Sequence, residues 1–209
     1  MGSMTTRRVH WESVYADRDP TSVSWYQENP ARSVILIEET GVAADDPILD
    51  VGGGASRLVD RLQAIGFTDL TVLDLAPAAL VHARERLGHG SRDIRWLDAD
   101  VLTHRFDRRF ALWHDRAVFH FLTQGEDQAR YVAQLDSAVV AGGNVIIAGF
   151  ALDGPEKCSG LTVQRHSPET LAARLGSGFE PLGFQEEAHH TPGGAVQHFL
   201  YGSFRRLAD

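Results

Sequence analysis

The fold is decided by one stretch of the sequence, Ile48-Leu49-Asp50-Val51-Gly52-Gly53-Gly54-Ala55-Ser56. A short apolar run ends in an acidic residue, three glycines follow, and apolar residues then repeat at helical spacing over 57–65. Because glycine has no Cβ, such a turn can adopt positive φ and lets a ligand approach the main chain. The pattern therefore predicts a strand, a tight turn and a helix, the arrangement of nucleotide-binding α/β proteins.

Outside this stretch, predicted strands and helices alternate along the chain. Further strands are expected at 70–75, 94–97, 110–114 and 144–151, each bounded by helical patterns. Two later strands, 184–190 and 196–204, are joined by a connection too short for a crossover, so they should be antiparallel. Alternation of this kind predicts an α/β protein with a mostly parallel sheet and helices on both faces.

Composition limits the class of protein. The 209 residues carry a formal net charge of −8, which argues against a non-specific nucleic-acid binder. No apolar run approaches the roughly 20 residues that span a bilayer, so we expect no membrane partner. The single cysteine, Cys158, excludes an internal disulfide and fits a reducing, cytoplasmic location.

The chain is long enough for one domain. We predict a tag and flexible N-terminus at 1–9 and a single domain at 10–209. Within this domain, 10–44 would form a lid and helix rich in aromatic residues, and 152–166 a long loop beside the substrate. We expect a monomer or a homodimer.

Three ligands compete for the glycine turn. A nicotinamide or flavin dinucleotide would need a glycine where Arg57 stands, and a phosphate-loop NTPase would need a Gly-Lys-Ser/Thr ending. S-adenosylmethionine has no phosphate but carries a sulfonium and an ammonium. The acidic Asp50, directly before the glycines, favours this cationic ligand.

At this point the sequence resembles the class I SAM-dependent methyltransferases, over about residues 45–204. The ordered motifs are Asp50-Val51-Gly52-Gly53-Gly54-Ala55, then Asp74, then Asp100-Val101. The resemblance implies a seven-stranded Rossmann-like sheet ending in an antiparallel hairpin, with S-adenosyl-L-methionine as cofactor and S-adenosyl-L-homocysteine as product. The methyl group would pass by in-line displacement to an unidentified acceptor, a small molecule or a protein side chain.

Two further patterns bear on the acceptor. Trp11 with Tyr15, then Ser24-Trp25-Tyr26, resembles the start of a subgroup that includes protein-lysine methyltransferases. The Asn/Asp-Pro-Pro-Tyr/Phe motif of enzymes that methylate adenine or glutamine is absent, because His114-Asp115-Arg116-Ala117 follows the fourth strand. We therefore do not expect a nucleic-acid acceptor.

The resemblance also implies residue roles in cofactor binding. Asp50 would hold the ammonium, the glycines would admit the methionine portion, Asp74 would accept from both ribose hydroxyls, and Asp100 would accept from the adenine amino group. The full set of predicted cofactor-binding residues is Trp25, Asp50, Gly52, Gly53, Gly54, Asp74, Leu75, Asp100, Val101 and Asp115.

Catalytic candidates follow the fourth predicted strand. An imidazole titrates near neutral pH, so His120 or His114 is predicted as general base. Asp115 is a third catalytic candidate, and Arg116 could pair with it or with the substrate. No metal site is predicted, since His189 and His190 face opposite sides of a strand. Two alternatives remain open: a non-catalytic SAM- or nucleoside-binding regulator, and an NAD-dependent oxidoreductase.

Overall fold

The computed structural model describes residues 4–208, which are built around one large sheet. The strands of this sheet are β1 Ile48–Val51, β2 Leu70–Asp74, β3 Ile94–Asp98, β4 Phe110–Arg116, β5 Val139–Phe150, β8 Phe179–His190 and β9 Val196–Arg206; a separate hairpin is formed by β6 Lys157–Cys158 and β7 Leu161–Thr162. The helices are α1 Met4–Asp17, α2 Ala31–Glu39, α3 Leu58–Ala64, α4 Pro77–Leu87, α5 Gly125–Ala138 and α6 Pro168–Leu175, with 3-10 turns at Gly88–Asp93 and Phe119–Phe121.

The order of the strands in the sheet is β3-β2-β1-β4-β5-β9-β8. The strands from β1 to β5 pair in parallel, whereas β9 runs antiparallel to both β5 and β8. The predicted α/β fold, with a seven-stranded sheet that ends in an antiparallel hairpin, is confirmed. Between β1 and β4 the order reverses, which in parallel sheets creates a crevice beyond the carboxyl ends of the strands.

Apolar layers cover both faces of the sheet. One layer packs α2, α3 and α4 against it through Leu36, Leu62 and Leu80. The other layer holds α5 and α6, with Tyr131 and Leu171 among its buried residues. Every residue of β1 and β2 is buried, as expected for strands covered on both sides. No helix in residues 4–208 is both long and apolar enough to cross a bilayer.

Three boundaries differ from the predictions. Residues 4–9, part of the segment predicted as a tag and flexible N-terminus, belong to α1. Arg7 and Arg8 link this helix to Asp100 and Asp98 by ion pairs, and residues 1–3 lie outside the described residues. The predicted loop 152–166 contains the β6–β7 hairpin. The fifth strand begins at Val139, where a register shift pairs it with Phe110.

Candidate functional site

A cavity lies beyond the carboxyl ends of β1, β2 and β4. It encloses about 800 Å³, part of it open to solvent. Residues from the three strand ends and from α1 line it, among them Trp11, Gly52, Asp74, Asp100, Arg116 and Phe121. Its mixture of apolar walls with a few polar groups is typical of a small-molecule site.

Asp74 ends β2 at the wall of this cavity and is only 7% exposed. Its Oδ1 accepts a hydrogen bond from the Ala76 amide at 2.8 Å. Burial, with a smaller contribution from the charge of Asp50, raises the pKa of Asp74 from 3.8 to about 7. In residues 4–208 no arginine, lysine or histidine forms an ion pair with it. Such a carboxylate is suited to accept from hydroxyl groups of a ligand.

The glycine turn between β1 and α3 packs closely against neighbouring side chains. Gly52 has a φ of +69°, and a Cβ there would lie 2.1 Å from Cγ2 of Val118. Gly54 has a φ of +32°, and its Cβ would lie 2.5 Å from Oδ2 of Asp74. Both positions therefore require glycine for backbone conformation and for space.

A second cavity of about 560 Å³, including space open to solvent, adjoins the first. It is lined by Asp50 and Gly53, and it shares Tyr15, Trp25, Gly52 and Arg116 with the first cavity. The two cavities thus meet beside Gly52, with the predicted ribose contact on one side and the predicted ammonium contact on the other.

Asp50 is buried beside this second cavity. Its Oδ1 lies 2.7 Å from Nδ1 of His114, whose Nε2 lies 2.9 Å from the Ser33 hydroxyl. Both ring nitrogens of His114 are thus engaged, one by Asp50 and the other by Ser33. Oδ2 of Asp50 is buried and has no hydrogen-bond partner within the described part of the chain. An ammonium group of a ligand would donate the hydrogen bond that this oxygen lacks.

Asp100 lines the first cavity together with Leu75 and Val101. Its Oδ1 accepts from the Leu102 amide at 2.9 Å, and its Oδ2 accepts from Nη2 of Arg7 at 3.0 Å. Arg7 therefore joins α1 to the predicted adenine contact. The sequence analysis did not single out Arg7, because a lone arginine near a terminus carries no spacing signal.

Aromatic rings cover the first cavity. Trp11 lies edge-on to Trp25 and to Phe121, with ring centroids 5.7 and 5.0 Å apart. The indole of Trp25 donates to the Tyr15 hydroxyl at 3.3 Å, and Trp25 lines both cavities. The predicted lid residues are thus brought together over the ends of the strands.

Asp115 lies elsewhere, fully buried beneath the turn that follows β4. Its carboxylate accepts from the amides of Val118 and Phe119 at 2.9 and 3.1 Å and from the Tyr131 hydroxyl at 2.5 Å. Burial raises the pKa of Asp115 to about 6. These contacts shape the turn whose Val118 packs on Gly52.

His120 is likewise separate from the two cavities. It lines a small apolar cavity with His166 and Leu171, and its Nδ1 accepts from the Phe150 amide at 3.4 Å. Burial lowers the pKa of His120 to about 3, so its imidazole is neutral at physiological pH. The structure brings together the predicted cofactor residues Trp25, Asp50, Gly52, Gly53, Asp74, Leu75, Asp100 and Val101, and His114 lines the second cavity. It leaves Gly54, His120 and Asp115 outside the linings of the two cavities.

Comparison with known proteins agrees with this geometry. A family model described as a methyltransferase domain matches residues 48–143. The eEF1A lysine and N-terminal methyltransferase of Danio rerio is 23% identical over 146 residues, covering 68% of this chain and 21% of that protein. The chain therefore spans about a fifth of that relative's length.

Solved structures show the same fold at low sequence identity. The 1,6-didemethyltoxoflavin-N1-methyltransferase of Burkholderia thailandensis, solved with its substrate and S-adenosylhomocysteine, is 20% identical with a TM-score of 0.74, covering 100% of this chain and 92% of that one. A structure from work on the conversion of a disulfide bond into a thioacetal group in echinomycin biosynthesis is also 20% identical, with a TM-score of 0.77 and coverages of 96% and 92%.

Proposed function

The chain belongs to the class I S-adenosylmethionine-dependent methyltransferases, and on this premise we propose how it binds its cofactor and what it methylates. The donor occupies the two joined cavities, with its nucleoside against Asp74 and Asp100 and its methionine portion beside Gly52 and Asp50. The acceptor is a small molecule that enters beside Trp25 and is enclosed under α1.

The observation that carries this binding mode is Asp74. A carboxylate that is 7% exposed and has no cationic partner among residues 4–208 is unfavourable as it stands. Two ribose hydroxyls would donate to it and satisfy both oxygens. The buried, unpartnered Oδ2 of Asp50 supports the placement of the ammonium in the same way.

The proposed chemistry depends on positioning. When bound, S-adenosylmethionine supplies a methyl group on an electrophilic sulfonium. The residues of this chain hold the reactants in line and exclude water: the glycine turn admits the donor, and the rings of Trp11, Trp25 and Phe121 enclose the site. His114 is engaged by Asp50 and Ser33 and His120 lies outside the cavities, so we assign neither a proton-transfer role.

Support for a small acceptor comes from the cover of the site. The helix α1 lies over the cavity and is tied to its rim by Arg7 and by Glu12, whose carboxylate accepts from the Ala78 amide at 3.3 Å. A cavity lined by aromatic rings and partly covered by a helix suits a small apolar or aromatic molecule better than a long protein segment. The toxoflavin-precursor enzyme, which matches this chain over its full length, binds such a molecule.

Methyl transfer to fractionated cell extract tests the proposal. The protein is incubated with methyl-labelled S-adenosylmethionine and either the small-molecule fraction or the protein fraction. We expect label in the small-molecule fraction, and its loss with Asp74→Ala. Label in proteins alone would refute the small acceptor, and binding without any transfer would favour a regulatory protein. Thermal protection by NAD in place of S-adenosylhomocysteine would favour the oxidoreductase.

We also propose a reducing location, the cytoplasm. The single thiol, Cys158, is 4% exposed, and burial raises its pKa to about 11, so it is protonated and inert at neutral pH. Fold and site therefore do not depend on an oxidising compartment. Fractionation of the source cells checks this location.

A further inference from the structure

A partly buried arginine lies where the two cavities meet. Arg116, the last residue of β4, lines both of them, and its side chain is 10% exposed. Sequence reasoning left open whether it pairs with Asp115 or with the substrate. In the structure its guanidinium contacts other residues.

Three contacts fix the guanidinium of Arg116. Nε donates to the Tyr201 hydroxyl at 2.8 Å, and Nη1 donates to the Trp25 carbonyl at 3.0 Å. The group lies 4.1 Å from the centroid of the Phe199 ring. These contacts hold the guanidinium in one orientation, and Glu187 forms an ion pair with it at 3.7 Å.

One nitrogen of Arg116 is left over. Nη2 is buried and has no hydrogen bond within the described residues; its nearest carboxylate is Glu187, at 3.7 Å. Glu187 is itself engaged, since it accepts from the Tyr201 hydroxyl at 2.9 Å. A buried donor without a partner is costly unless a ligand completes it.

A residue of opposite charge lines the second cavity. Asp50 lines the same cavity as Arg116, and its Oδ2 is likewise buried and unpartnered among the described residues. One carboxylate and one guanidinium, each short of a partner, match an α-amino acid zwitterion. The nucleoside contacts, Asp74 and Asp100, lie toward the first cavity.

We propose that Arg116 binds the carboxylate of the methionine portion of S-adenosylmethionine, opposite Asp50, which takes the ammonium. The inference rests on the proposed function and extends it: Arg116 is a positioning residue that fixes the amino-acid end of the donor. It gains a charge-assisted hydrogen bond that its protein partners do not supply. A carboxylate on the acceptor could meet the same group, and the experiment separates the two sources.

The test compares two ligands that differ only in the carboxylate. Isothermal titration calorimetry measures S-adenosylmethionine and decarboxylated S-adenosylmethionine against wild type, Arg116→Gln and Arg116→Lys. We expect wild type to prefer the intact ligand by about tenfold or more. Arg116→Gln should lose this preference, so that it binds the two ligands with nearly equal affinity, whereas Arg116→Lys should keep part of the preference.

Arg57→Gln is the matched control, because Arg57 also donates Nε to a tyrosine hydroxyl, that of Tyr26, but does not line the cavity. Its preference should equal that of wild type. The ratio within one variant is insensitive to overall stability, and Arg116→Lys serves if the glutamine variant does not fold. Two results would overturn the assignment: equal affinity of wild type for both ligands, or a preference that is undiminished in both Arg116→Gln and Arg116→Lys. Either result would mean that Arg116 does not bind the carboxylate of the donor and is available to bind the acceptor. Binding of neither ligand would instead refute the proposed function.

Discussion

At the scale of single residues, the site is marked by polar groups that the protein itself does not satisfy. Asp74 has no cation, Asp50 has one unpartnered oxygen, and Arg116 has one unpartnered nitrogen in the part of the chain that is described. Burying these unpaired polar groups lowers the stability of the free protein, and a bound ligand that pairs with them raises it again. Stability of the free protein and affinity for the ligand are therefore coupled at the same side chains.

Asp74→Asn should stabilise the free protein increasingly as the pH rises. The folded pKa of Asp74 is about 7 and its ordinary value is 3.8. Between these values the folded state binds more protons than the unfolded state, so the contribution of Asp74 to stability is full below about pH 4 and is lost as the pH rises through 7. At pH 8 the melting temperature of the variant should exceed that of wild type by on the order of 5 °C.

Melting curves from pH 5 to pH 8.5 measure this difference. Asp107→Asn is the control, because Asp107 is exposed and Arg95 holds its pKa below the ordinary value. That variant should show no rise over the same range. If the difference in melting temperature between Asp74→Asn and wild type is constant with pH, the pKa of Asp74 is not raised in the folded protein.

Gly52→Ala should destabilise the protein more than Gly41→Ala. Both glycines have a φ near +70°, but a Cβ at Gly41 meets open space, whereas one at Gly52 meets Val118 at 2.1 Å. Positive φ alone costs about 1 kcal/mol, and overpacking adds roughly 1–3 kcal/mol. Urea denaturation compares the free energies of unfolding, and Val118→Ala should restore part of the loss in Gly52→Ala. Equal losses at the two glycines would contradict the close contact with Val118.

At the scale of elements, α1 and the turn after β4 complete the site from opposite sides. The helix supplies Trp11 and the ion pair of Arg7 with Asp100, and the turn presents Val118 to the glycines. Sequence periodicity predicted most helices and strands, because their apolar residues face one core. It did not predict α1, whose sequence has little amphipathic pattern and whose placement depends on distant ion pairs.

Arg7→Ala removes the ion pairs with Asp100 and Asp127, so it should loosen α1 and speed the release of S-adenosylhomocysteine by about threefold, as expected for partly exposed ion pairs. Stopped-flow displacement measures the rate, and hydrogen exchange reports the protection of the α1 amides. Arg8→Ala is the control: its partner Asp98 lies outside the cavity, so release should be unchanged. Equal effects in the two variants would mean that the contact with Asp100 has no special part in closing the site.

Asp115→Ala should lower the free energy of unfolding by roughly 3 kcal/mol, because two amides and a hydroxyl lose a buried acceptor. Tyr131→Phe removes one of these bonds and also leaves the buried Trp113 indole N–H without its acceptor, so it should cost about 2 kcal/mol. Chemical denaturation measures both losses. If Asp115→Ala is as stable as wild type but inactive, the carboxylate acts in catalysis and does not brace the turn.

At the scale of the whole molecule, the mostly parallel sheet, its antiparallel C-terminal pair and the glycine turn were predictable because they follow from local patterns and from general rules of parallel sheets. Asp50, Asp74 and Asp100 follow strand ends, so the sequence could place them at one edge of the sheet. The contacts of His120 and Arg116 could not be predicted from the sequence. They depend on the direction in which the turn after β4 faces and on residues of β9, some 80 positions away in the chain.

The central claim is that the cavity under α1 holds the methyl donor. The most direct measurement is a crystal structure of the protein with S-adenosylhomocysteine. We predict that the carboxylate of Asp74 will accept hydrogen bonds from both ribose hydroxyls, with the adenine beside Asp100 and Val101 and the amino acid between Asp50 and Arg116. A ligand bound elsewhere, or a ribose that does not contact Asp74, would contradict the account.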